Sequence, residues 1–367
     1  MRALITDDCS PDEQARANAW AGRYSNFAAA AANLLAYMDF LPHAAGHSRT
    51  AFKDMALLAS LALAVTVVVT CVSVKEQQPD TDTQISSSRR GVALREIWTV
   101  FFGTPSQIRT VYLVQFFAWL GWFPFLYYTV TYVKNLCKSS SHTLPGILLM
   151  DTPDKAERLS AEPPKSSSAD EPNPRRGVLA LLVYTTVALV ASIVLPVLVI
   201  ASRHVSMRRL WFLSQAVFGI SMLGTFLTAS SLGTIALFGI SGFSWAVSAW
   251  IPYALLGAET SSSPRSQAYE LAASTESHAD EGKCYDGENR DEGCLSNNVG
   301  LVYGIHNLAI CVPQILVTLA MAVERMLAGQ KAQDQTGPET NLAWVFRFAG
   351  VFSLVAMYIA RGIREPN

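Results

Sequence analysis

The chain has 367 residues and a formal charge of −1; half of it is hydrophobic and only 16% is charged, with a mean hydropathy of +0.24. Soluble domains carry about 25% charged residues, so this chain is too poor in charge to cover a globular surface of its size. The near-zero charge balance gives no electrostatic footprint for nucleic acid, and no such partner is expected.

The chain opens on MRALITDDCSPDEQ. That stretch is polar and acidic and has no basic segment leading into an apolar one, so no signal peptide is expected. A helix that crosses a bilayer needs about 20 apolar residues. Tyr24–Leu41 is the weakest such run, alanine-rich with Asp39 near its end. Met55–Val74, Thr110–Val133 and Val178–Ser202 are clear runs. Leu210–Ala258 has no charged residue and is long enough for two helices, with a turn at Thr228–Gly233. Val299–Val323 follows, then Leu342–Ala360, broken only by Arg347, which brings the set to about eight. So many apolar helices cannot share one soluble core without polar faces. The fold class expected is all-α: a polytopic membrane protein in a lipid bilayer.

Lys75, Arg89, Arg90, Arg95 and Arg109 lie in the loop after Val74; Arg203, Arg208 and Arg209 lie in a short turn; Arg361 and Arg364 lie in the tail. With this span order they fall on one side, which the positive-inside rule makes cytoplasmic. The Asn135–Arg176 loop is then outside, and its Ser/Pro/Lys-rich composition reads as disordered. Leu94, Ile97, Trp98, Phe101 and Phe102 recur at helical spacing, which fits either an interfacial amphipathic helix or an ordinary packed linker. The Glu259–Asn298 loop lacks the ligand spacing of a calcium loop and reads as a solvated linker.

Chemistry-bearing motifs are absent. No GxSxG, P-loop, HExxH or GxGxxG opens a helix, so no enzyme and no cofactor is expected. His43 and His47 lack the third ligand and the helix that a metal pair needs, and no metal is expected. Cys9, Cys71, Cys137, Cys284, Cys294 and Cys311 form no CxxC pair and read as small buried hydrophobes.

The informative residues are polar or aromatic groups inside spans, because a polar side chain in hydrocarbon should face the bundle interior. In GFSWAVSAWIPYALLGAE (Gly242–Glu259), Pro252 should break a helix. In GLVYGIHNLAICVPQILVTL (Gly300–Leu319), Pro313 should break another. Gln314 lies eight and seven residues beyond His306 and Asn307, a spacing that is read as one shared face. Broken helices with converging polar groups mark transporters; helix–helix adhesion by Asn and Gln is the competing reading.

These motifs together resemble the sucrose/proton symporters and their relatives among the glycoside–pentoside–hexuronide cation symporters of the major facilitator superfamily. RALITD at Arg2–Asp7 is similar to the family's RALxxD at the end of its fourth span. ANAWAGR (Ala17–Arg23) and NLLAYMDFLP (Asn33–Pro42) resemble its fifth. QFFAWLGWFPFLYY (Gln115–Tyr128) resembles its seventh, Gly242–Glu259 its tenth and GIHNLAICVPQ (Gly304–Gln314) its eleventh. Members have twelve spans. The resemblance therefore implies an N-terminally truncated carrier, with residues 1–76 a remnant of the N-terminal bundle, 77–108 a central cytoplasmic loop and 109–367 a complete C-terminal six-helix bundle.

The function implied is symport of a disaccharide, sucrose or another α-glucoside, with a proton across a plasma or vacuolar membrane by alternating access. The alternative is a non-transporting membrane sugar sensor or an inactive truncated carrier. A sugar packs its C–H faces on aromatic rings and bonds its hydroxyls to polar groups. Trp119, Trp122, Phe123, Tyr127, Trp245, Trp250 and Tyr253 would supply the rings, and His306, Asn307 and Gln314 the hydrogen bonds. For the tryptophans an interfacial belt is the other reading. Proton coupling needs a group that gains and loses a proton, as a carboxylate beside an arginine does. Arg2 and Asp7 match the charged residues of RALxxD, either as that pair or as an ion pair locking one conformation; Glu259 and Arg347 are further candidates. One departure stands out. Plant sucrose carriers place aspartates two apart after FPFL, whereas this chain has Thr129, Thr131 and Tyr132, then Val133 and Lys134. Coupling by the plant arrangement is thereby put in question.

Overall fold

The computed structural model describes residues 5, 9, 11–38, 51–73, 101–102, 104–143, 175–202, 205–228, 230–261, 299–329 and 339–364. The long helices are α1 (Pro11–Met38), α2 (Ala51–Ser73), α3 (Ser106–Thr143), α4 (Arg175–Ala201), α5 (Met207–Leu223), α6 (Ser231–Ser248), α7 (Ile251–Ser261), α8 (Val299–Gly329) and α9 (Glu339–Ala360). Among the described residues the fold is all-helical, as the uncharged runs predict.

Among the described residues six segments are long and apolar enough to cross a membrane: Ala56–Ser73, Ser106–Cys137, Arg175–Ala201, Ser231–Thr260, Gly300–Glu324 and Leu342–Ala360. The other two of the expected set are the alanine-rich α1 and α5. At 17 residues α5 is short, but a 3₁₀ turn over Gly224–Phe226 carries the coil on. Twenty residues of helix rise about 30 Å, the thickness of a hydrocarbon core.

Helix α3 is the hub. It packs along α9, α8 and α4 and touches α6 and α7, while α5 is held between α9 and α6. Helix α1 lies against α4 and α7. The closest crossings use glycine. A Cβ on Gly242 of α6 would stand 2.2 Å from the Tyr184 carbonyl oxygen and 2.9 Å from the Ala188 nitrogen of α4. Only a bare Cα lets those backbones approach so closely, the small-residue packing that apolar helices rely on in lipid. Between these helices lies an aromatic core: Trp122, Phe125, Trp211, Phe218, Phe238 and Phe346 are all at most 1% exposed. By contrast, the described side chains of α2 are all exposed or nearly so, and its valines and leucines face outward.

Two sequence expectations change. Helix α8 runs unbroken through Pro313. A proline removes one hydrogen bond, and the turns on either side carry the helix past it. Pro124 is likewise inside a continuous α3. Pro252 does break its span: a turn at Ala249–Trp250 separates α6 from α7. Helix α3 also continues to Thr143, beyond the expected loop start at Asn135, because Cys137 is buried and Leu136 packs on the core.

The basic ends meet. Arg208 donates to the Arg361 carbonyl at 2.6 Å, and the Arg364 amide donates to Gln107 Oε1 at 2.9 Å. The starts of α3 and α5 and the end of α9 therefore lie at one end of the bundle, the end expected to face the cytoplasm. His43, His47, Cys284, Cys294, the amphipathic positions Leu94, Ile97 and Trp98, and most of the Glu259–Asn298 loop lie outside the described residues. Phe101 is within them and stacks on Tyr112, with ring centroids 6.2 Å apart.

Candidate functional site

Trp119, Phe123 and Tyr127 stand four residues apart on α3 and therefore share a face. Their rings form a ladder with centroid spacings of 5.0 and 5.7 Å. The ladder opens along its length: Phe123 is buried, Trp119 half-buried and Tyr127 44% exposed. At the open end Gln314 of α8 donates from Nε2 to the Tyr127 hydroxyl at 2.8 Å. Gly304, Asn307, Cys311, Gln314 and Thr318 follow one another at steps of three and four along α8, and all are exposed. Among the described residues, no heavy atom outside its own stretch of helix backbone lies within 4 Å of where a Gly304 Cβ would stand. Ring faces, a phenol and two carboxamides thus lie along one accessible edge between α3 and α8.

Behind this edge the aromatics close into packing. Trp119 meets Trp245 edge-on at 5.9 Å, and Trp245 meets Trp122 at 5.1 Å. Trp122 lies 3.9 Å from Phe218 and is 1% exposed. Trp250, at the helix break, is 2% exposed. Trp122 and Trp250 are therefore core residues in this structure, while Trp119 and Tyr127 stay accessible.

His306 is the clearest correction. It does not share a face with Asn307 and Gln314: it is fully buried, and they are exposed. The helical angle explains the difference. Seven residues fall about 20° short of two full turns, whereas eight overshoot by about 80°. His306 turns inward instead. Its Nε2 is 3.1 Å from Gln115 Nε2 of α3. The Tyr253 ring of α7 stands edge-on to it at 4.9 Å, and Tyr112 of α3 lies 6.3 Å away. The Tyr112 hydroxyl donates to the Val302 carbonyl at 2.9 Å.

Sequence reasoning missed Gln115, although it stands in an uncharged run, the same signal that flagged Gln314. It also missed the polar stripe of α1. Gln14, Asn18 and Asn26 are spaced by four and eight and are buried, and Arg23 donates from Nε to the Ser192 carbonyl of α4 at 3.2 Å.

Arg2 and Asp7 lie outside the described residues. Glu259 is half-exposed near the end of α7. Arg347 sits toward the opposite end, its guanidinium 3.8 Å from the Phe226 ring centroid and 4.9 Å from that of Trp344. The structure does not bring these two together. At the positions where plant carriers have aspartates, Thr129 is buried and donates to the Phe125 carbonyl, whereas Thr131 is exposed. Tyr132, the next residue, packs 4.9 Å from Phe346.

No protein-family profile matches the chain. It is 36% identical over 206 residues to an MFS-type transporter, cctQ, of Talaromyces islandicus, an alignment covering 52% of this chain and 71% of that protein. It is 24% identical over 445 aligned positions to a general alpha-glucoside permease of Schizosaccharomyces pombe, covering 100% of this chain and 70% of the permease. Both relatives bear the names of carriers. A multi-pass helical bundle around a proline-broken span, with the first relative covered at that identity, places the chain in a family: it belongs to the major facilitator superfamily of transporters.

Proposed function

We propose that this chain carries a disaccharide, sucrose or another α-glucoside, across the plasma or vacuolar membrane by alternating access, with a proton as co-substrate. The observation that carries the reading is the accessible edge where the Trp119–Phe123–Tyr127 ladder meets Gln314. A sugar offers alternating C–H faces and hydroxyls, and this edge offers ring faces beside carboxamides. Asn307 lies seven residues before Gln314, about two turns down the same stripe, and extends the row of hydrogen-bonding groups. Trp245 and Tyr253 back the ladder and the α8 contact, while Trp122 and Trp250 hold the helices in place. The name of the S. pombe relative supports the α-glucoside class.

Coupling through Asp7 and Arg2 rests on their match to the RALxxD pattern, with Glu259 and Arg347 as separate candidates. The test is uptake by the full chain reconstituted in vesicles. Radiolabelled sucrose and maltose should enter, and an inward proton gradient should speed their entry. Failure to take up any disaccharide, with or without the gradient, would sink the reading.

A further inference from the structure

The carboxylates that plant carriers place after FPFL are missing here, where Thr129 and Thr131 stand instead. Yet the same bundle encloses a titratable side chain at full burial, His306, which the accessible sugar edge does not use. Resting on the symport reading above, we propose that His306 takes up and releases the co-transported proton, with Gln115 as the amide that follows its protonation state.

The geometry of the pair carries the argument. Gln115 Nε2 lies 3.1 Å from His306 Nε2. An amide nitrogen can only donate, so in this arrangement the imidazole nitrogen accepts and the ring is neutral, its proton on Nδ1. Gln115 is itself 1% exposed, and its Oε1 has no hydrogen-bond partner among the described residues. A buried carbonyl oxygen without a partner is costly. It becomes useful when a proton binds His306 Nε2: that nitrogen then donates, and rotation of the amide about its last bond presents Oε1 to receive it. A carboxamide carries both a donor and an acceptor on one rotor, so it can serve both states of the ring without a backbone shift.

The surroundings favour this use. α3 is the helix that packs along α8, and α7 reaches the site through Tyr253. Among the described residues, the titratable groups set against the imidazole include Tyr253 from α7 and Tyr112 from α3; Tyr303 lies one turn earlier on α8 itself. The Tyr112 hydroxyl already donates to Val302. Aromatic rings tolerate a cation near them, but a charge enclosed in a packed seam is expensive. Protonation therefore favours a state in which the α3–α8 seam opens to water, and deprotonation favours the sealed one. The proton arrives at Nε2 from water on one side and leaves to water on the other. No bond is made or broken other than N–H.

The test uses the full chain in vesicles and separates exchange of sugar at equal pH from accumulation driven by a proton gradient. His306→Gln should exchange sugar within about threefold of the wild type and lose gradient-driven accumulation altogether. Full accumulation by His306→Gln overturns the assignment while leaving the carrier reading intact. So does a folded variant that loses exchange as well, because His306 would then be serving the sugar. The second variant is Gln115→Glu, which places a carboxylate beside the ring. It should move the pH midpoint of uptake upward by at least about one unit, since an opposite charge favours the protonated ring. An unmoved midpoint overturns the assignment even if His306→Gln does not fold. A wild-type chain that neither exchanges nor accumulates any disaccharide sinks the carrier reading and this assignment together.

Discussion

Among the described residues two hydrogen bonds join side chain to side chain across the seam between α3 and α8, and their surroundings are opposite. Gln115–His306 is sealed, with both residues at most 1% exposed, whereas Tyr127–Gln314 opens outward, with Tyr127 at 44%. In the sealed bond no outside molecule can replace either partner, so a change of state must come from a proton or from movement of the helices. In the open bond a ligand hydroxyl can take the place of either partner at little cost, because the groups already meet solvent or headgroups. Equivalent chemistry thus supports conformational control at one level of the seam and recognition at the other.

The largest effect that would break this contrast concerns the tryptophans. Trp122 belongs to the sealed side and Trp119 to the open side, though they are one helical turn apart. Trp122→Ala should cost about 3–5 kcal/mol of stability, read as a lowered Tm of the purified carrier in detergent. If Trp122→Ala melts like the wild type, the division between packing and binding tryptophans fails. Next in size is Gly242→Ala. Its new methyl group would collide with the backbone of α4, and overpacking of this kind costs about 1–3 kcal/mol. It should lower folded yield while leaving the apparent sugar affinity of the surviving protein unchanged. An altered affinity would mean that the α4–α6 crossing shapes the sugar edge directly.

The sequence carries the helical runs well, because twenty uncharged residues in a row have no alternative in water. The gap between α5 and α6 is also legible, although the helix resumes at Ser231 within the expected Thr228–Gly233 turn, and so is the break at Pro252, since each depends on local chemistry. What it does not carry is the direction in which a polar residue points. His306, Asn307 and Gln314 read alike in the sequence, yet the first turns inward because one extra residue rotates it by about 100°. Gln115 shows the converse: its importance depends on a residue far along the chain. Pro313 was expected to break a helix and does not, because the effect of one lost hydrogen bond depends on the packing around it. The paired positions after FPFL differ again. Their departure from the plant pattern is visible in the letters, and the structure adds that Thr129 is buried while Thr131 is exposed.

On the open side Trp119→Ala should leave stability within about 1 kcal/mol of the wild type, as for a partly exposed position. It should weaken apparent sugar affinity about tenfold, equivalent to about 1.4 kcal/mol. A Trp119→Ala variant that unfolds instead moves this residue into the core with Trp122.

The smallest effects sharpen the contrast most, through two double-mutant cycles. Tyr127→Phe and Gln314→Leu each remove one end of the open bond. If the sugar inserts between the two groups, each single variant should lose about fivefold in affinity, about 1 kcal/mol, and the double variant should lose more than the two single losses together, because each single variant already frees the remaining group from the mutual bond. Strictly additive losses would mean that the sugar touches the two groups independently and never displaces their mutual bond. The matching cycle on Gln115→Leu and His306→Leu should show its coupling in melting temperature and in the pH profile of uptake, with sugar affinity at a fixed pH nearly constant. Coupling in sugar affinity for the buried pair, or in melting temperature for the open one, would erase the distinction, because a sealed contact can act on the sugar only through the helices that it joins.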